Sequence, residues 1–161
     1  MYVDFNKMPE NSRVWVYQAE RTLNEQEASQ LKRRLTAFCE GWNTHGNLMP
    51  TSFDLIENQI ILLAVDESNL GASGCSIDSS VRVLRQLEAS LGVDLTNQGK
   101  VSYKNNQTIK VSPALGIKQK VLAGEISVDT EVINPLIKEK SHLNQLWIPA
   151  KSSWLNKFFP N

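Results

Sequence analysis

Cysteine is scarce in this chain: Cys39 and Cys75 are the only two among 161 residues, far apart and without metal-ligand spacing. Their scarcity excludes a disulfide-stapled scaffold and a zinc site built from close Cys or His pairs. Charge of one sign is also lacking, since 17 basic residues balance 17 acidic ones. A chain without net charge has no large positive field for holding nucleic acid, so no nucleic-acid partner is expected. Long apolar runs are missing too. The longest, residues 60 to 65, spans six residues, whereas a membrane helix needs about twenty, so no membrane insertion is expected. Residues 1 to 10 carry Asp4, Lys7 and Glu10 and hold no apolar signal core, which points to a cytoplasmic protein with reduced thiols.

What is present is an ordinary globular composition, 41% hydrophobic and 21% charged. The length suits a single domain, residues 1 to 161, whose core forms without cofactor or metal. Residues 13 to 19 (RVWVYQA) are rich in β-branched and aromatic side chains and read as a strand. From Asn24 to Trp42, the residues Ala28, Leu31, Leu35, Phe38, Cys39 and Trp42 fall on one helical face. Asn24 is a suitable N-cap and Glu27 completes a capping box. Residues 51 to 57 and 60 to 66 suggest a hairpin around Asn58-Gln59, with the second strand buried. A second amphipathic helix carries Ile77, Val81, Leu84, Leu87 and Leu91 and ends at Gly92. Residues 100 to 104 and 107 to 111 form another expected hairpin around Asn105-Asn106.

This order predicts an α+β fold with a mostly antiparallel sheet and a ferredoxin-like β-α-β-β-α-β core over about 13 to 111. The extension, about 112 to 161, is expected to hold a short helix ending near Gly124 and a strand over 130 to 137 interrupted by Asn134-Pro135. Helices over 138 to 147 and 153 to 159 would follow.

Four blocks, MYVDFNKMPENSRVWVYQA, ILLAVDES, ASGCSIDSSV and WIPAKSSWL, resemble an uncharacterised bacterial family of similar length whose members are often labelled "ABC transporter ATPase". The resemblance runs the length of the chain and implies a name rather than a mechanism. The label requires a G-x-x-x-x-G-K-[ST] loop whose amides and lysine cradle phosphates. The only Gly-Lys here, Gly99-Lys100, is followed by Val101, with Asp94 where the first glycine belongs. ATP hydrolysis is therefore not expected.

The most informative segment is 71 to 80 (GASGCSIDSS), a loop running into a helix N-terminus. Free amides and the helix dipole favour an anion there. Gly71, Ser73, Gly74, Ser76, Ser79 and Ser80 are the candidate ligand-binding residues of a small anionic-ligand-binding or regulatory module. The alternative is that Ser76 or Asp78 caps the helix while the glycines make the turn. Cys75 sits where the dipole favours a thiolate, so a thiol-dependent enzyme using Cys75, with His45 as base, is an alternative. His142 is a weaker base candidate, on an expected surface helix. Asp66, Glu67 and Asp78 have no metal-site spacing and read as turn caps. Lys32-Arg33-Arg34 reads as a solvated helix face. A third reading gives Trp154, Phe158 and Phe159 to a protein partner or to self-association, set against a tail that closes the chain's own core.

Overall fold

The longest apolar run becomes the most buried strand. The computed structural model describes residues 1–160, and in it β5 (Ile60–Val65) lies between β1 (Arg13–Gln18) and β4 (Thr51–Ile56), antiparallel to both. Every β5 residue is fully buried. Ile61, Leu63 and Val65 join one core with Leu31, Leu35, Trp42, Leu84 and Leu87. Ile60, Leu62 and Ala64 join a second core with Met8, Val14, Ile133, Ile137 and Leu146. A strand paired on both edges and covered on both faces has no position for a polar side chain, hence its unbroken apolar character.

Two helices form the layer over the first core. α1 (Glu25–Gly41) starts with the expected capping box, in which Asn24 accepts from the Glu27 N–H and Glu27 accepts from the Asn24 N–H. α2 (Gly74–Leu91) ends where Gly92 adopts φ +67° and donates to Glu88 O, a left-handed position that glycine occupies without strain. The cap at its start is Ser73, not Ser76 or Asp78. Ser73 accepts from the Ser76 N–H, and Ser76 lies inside the first turn.

The hairpin turns are displaced by one residue from the expected dipeptides. Positive φ falls at Glu57 and Asn58 in the first and at Asn106 and Gln107 in the second. Gln59 is drawn into the core instead: its carbonyl accepts from the Ala19 N–H, and its side chain accepts from the Thr22 hydroxyl. Between α1 and β4, β2 (Asn43–Thr44) and β3 (Asn47–Leu48) make a short ribbon turning at His45-Gly46.

The α+β, mostly antiparallel expectation holds, and β1-β5-β4 has the strand order of a split β-α-β unit. The strand needed to complete a ferredoxin-like sheet goes elsewhere. β6 (Lys100–Asn105) pairs with β7 (Thr108–Pro113) and β8 (Glu131–Ile133), and β8 pairs with β9 (Trp147–Pro149), giving a second sheet ordered β7-β6-β8-β9. Residue 111 is therefore no structural boundary, since strands from both sides of it share one sheet. A third core joins Val101, Tyr103 and Val132 to Ile117 and Val121 of α3 (Ile117–Leu122) and to Leu155 of the tail. The expected C-terminal helices are shorter: 3-10 turns over Lys140–Gln145 and Trp154–Phe158. The strand expected over 130 to 137 stops at Ile133.

Candidate functional site

The serine loop closes on itself. Ser76 Oγ donates to Ser73 O, Ser79 Oγ to Ser76 O and Ser80 Oγ to Ile77 O, all within 2.6 to 2.7 Å. Glu67 holds the Ala72 N–H at 2.8 Å, just before the residue that caps α2. The Thr44 hydroxyl donates to Gly71 O at 3.0 Å and accepts from the Ser73 N–H at 3.3 Å. Ser76 and Ser80 are buried, while Gly71 and Gly74 are exposed. Ser79 alone of the candidates lines a described cavity, a groove of about 250 Å³ between α1 and α2 that also contains Arg34 and Arg82. The loop's hydroxyls thus act as helix caps and tethers rather than as free donors.

Cys75 is exposed in the first turn of α2, and His45 is exposed at the tip of the β2–β3 ribbon. Thr44 brings that ribbon against the loop through its contacts to Gly71 and Ser73. Among the described residues no hydrogen bond joins His45 to Cys75, and neither lines a described cavity. The His142 ring instead accepts from the Lys138 N–H at 3.2 Å. Cys39 lies in the core, and burial pushes its thiol up to about 11. No group of three or more His, Cys, Asp or Glu among the described residues is placed to hold a metal ion. The tail divides its aromatics. Phe158 and Phe159 pack against the third core, whereas Trp154 is 41% exposed.

Trp154 borders a cleft of about 580 Å³ between the free edge of β1 and the second sheet. The register explains why this edge is open. Ala19 N–H donates to Gln59 O, and the two-residue alternation of antiparallel pairing turns the main-chain groups of Val14, Val16 and Gln18 away from β5. Val14 N–H is satisfied by Lys138 O at 2.9 Å, within an antiparallel bridge joining Arg13 to Glu139. Gln18 O is held by the Lys100 ammonium, which also contacts Asp94 at 2.9 Å. Between these two clamps, no hydrogen bond among the described residues engages the Val16 N–H, and its carbonyl meets only the Gln98 amide at 3.5 Å.

The chain itself could have filled this place. Continuing the Arg13–Glu139 register would set Leu136 opposite Val16, but the Leu136 N–H donates to Asn134 Oδ1 at 3.0 Å instead. Asn134 is anchored in turn by its own N–H to Leu146 O and by its amide to Gln145 O. The bend at Asn134-Pro135-Leu136 therefore ends the ladder and leaves an edge with an unmatched donor over Val101, Ala114, Ile133, Ile137 and Trp154. Arg13, Lys100 and Lys138 line the cleft and no carboxylate does.

Of the residues around this cleft only Trp154 stood out from sequence as a candidate contact. The other signal was Asn134-Pro135, visible as an interruption of an expected strand, whose consequence appears only when β1 is seen beside it. Comparison with protein-family models, curated proteins and solved structures finds no match, so the functional reading rests on this geometry.

Proposed function

We propose that the protein is a peptide-docking module in which an extended segment of a partner protein adds to the open edge of β1. The observation that carries this reading is the outward, unpartnered N–H of Val16 at the wall of an apolar cleft. Strand addition draws affinity from main-chain hydrogen bonds and specificity from pockets for alternate side chains. The cleft has the apolar walls for this, and Trp154 supplies an aromatic one. Leu115 and Leu136, chain neighbours of the lining residues Ala114 and Pro135, are 94% and 71% exposed, an apolar presentation that marks contact surfaces. The expected role of the C-terminal aromatics in partner binding is carried here by Trp154, since Phe158 and Phe159 serve the core. Ligand binding at residues 71 to 80 and thiol catalysis at Cys75 have weaker support, because the Ser76, Ser79 and Ser80 hydroxyls and the Ala72, Ser73 and Ser76 amides are engaged within the chain. Both cysteines are free thiols, which suits a docking role in the cytoplasm.

The test uses a pool of random synthetic octapeptides, half with free C-termini and half amidated, selected on the full chain. Selected peptides should slow hydrogen exchange at the Val16 amide and lose affinity for Val16→Pro. That substitution removes the outward N–H without breaking a bond to β5, since Val16 donates nothing to that strand, and edge positions tolerate proline. Failure to select any peptide, or selected peptides that leave Val16 exchange unchanged, would overturn the reading even if the proline variant did not fold.

A further inference from the structure

We infer that the docked segment is the C-terminal tail of its protein, antiparallel to β1 with its terminal carboxylate against Lys138; this rests on the docking reading above. The open edge is short. From Val14 to Gln18 the strand advances about 13 Å, room for roughly four residues. Both ends are stopped, one by the 138 to 140 segment bridged to Arg13 and the other by the Gln18–Lys100 clamp, where Gln18 Nε2 donates to Lys100 O and Ser102 Oγ donates to Gln18 Oε1. A chain passing through would have to turn sharply out of the cleft at each stop, whereas a chain that ends there meets only one.

Direction follows from the ladder. Both existing partners of β1, β5 and the 138 to 140 segment, run antiparallel to it. An occupant continuing that pattern travels from the Gln18 end toward the Arg13 end and finishes against residues 136 to 138. The charges agree with this polarity. At the Gln18 end Lys100 is already committed to Gln18 O and Asp94. At the Arg13 end the Arg13 guanidinium lies 3.6 Å from Glu67 and stacks on Trp15 at 4.6 Å. Lys138 is exposed, lines the cleft and makes no ion pair among the described residues. The uncommitted cation thus stands where an antiparallel chain would deliver its carboxylate, with no acidic side chain in the lining to compete.

Titration calorimetry on sequences from the octapeptide selection decides it, each made with a free carboxylate and as its amide. The free acids should bind about tenfold more tightly, the value of one charge-assisted hydrogen bond, and Lys138→Gln should abolish that difference while leaving the fold intact. Amides that bind as well as acids and still protect Val16 from exchange would overturn the carboxylate assignment and leave the docking reading standing. Peptides that leave Val16 unprotected would overturn both. A free-acid preference that survives in Lys138→Gln would also overturn the assignment.

Discussion

The two thiols show how far a single residue can be read from sequence. Cys39 falls on the apolar stripe of α1 and is buried as its spacing indicates. Its thiol is pushed up to about 11 by burial, so little thiolate forms near neutral pH and none of it is reachable. Cys75 is exposed, and whether a base stands beside it was a tertiary question that no spacing answers. Iodoacetamide near pH 8 should label Cys75 alone in the native protein and reach Cys39 only after denaturation, as read by mass spectrometry of the digested chain. Equal labelling of both would mean that α1 separates readily from the sheet. Lys138 lies at the opposite extreme, because an exposed lysine in sequence has no meaning until the β1 edge is placed next to it.

Among the elements, the helices and the two hairpins were legible from local chemistry, whereas pairings between strands distant in sequence were not. The start of α1 belongs to the first kind. Glu27 accepts from the Asn24 N–H and from Arg21 at 2.8 and 2.9 Å, and the Arg21 guanidinium, with the Asn24 amide behind it, lowers its carboxyl from 4.5 to about 2. A carboxylate depressed on folding contributes stability that is complete above 4.5 and disappears as pH falls toward 2. Glu27→Gln keeps an oxygen for the Asn24 N–H but loses the charge, so its urea midpoint should fall less steeply than the parent's between pH 4.5 and 2. Parallel acid limbs would show that the Arg21 pair does not persist in solution. α2 is the contrasting case. Its run of serines offers several caps, and Ser73 prevails because Glu67 and Thr44 fasten Ala72 and Ser73 just before it. The first hairpin turn moved for a similar reason, Gln59 being claimed by Ala19 and Thr22. The expected helix over 138 to 147 gives way to a 3-10 turn and β9, since Trp147–Pro149 finds a partner in β8 that no local pattern announces.

At the scale of the molecule, antiparallel layers were legible but the division into two sheets was not, because nothing in the order β-α-β-β-α-β tells β6 to leave β1. The tail reports on the division of labour between fold and surface. Leu155 is fully buried in the third core and its neighbour Trp154 borders the cleft. Leu155→Ala should cost about 2 to 5 kcal/mol, a drop on the order of 10 °C in melting temperature for a chain of this size. Trp154→Ala should melt close to the parent yet bind the selected peptides more weakly. A large loss of stability from Trp154→Ala would place that ring in the core instead. The bridge between Arg13 and Glu139 joins positions near the two ends of the chain. During synthesis β1 therefore leaves the ribosome well before the segment that stops one end of its edge has been made, and that edge is exposed to any other extended chain nearby. Chains truncated before residue 138 should therefore aggregate more readily than the full chain, as read by light scattering at matched concentration.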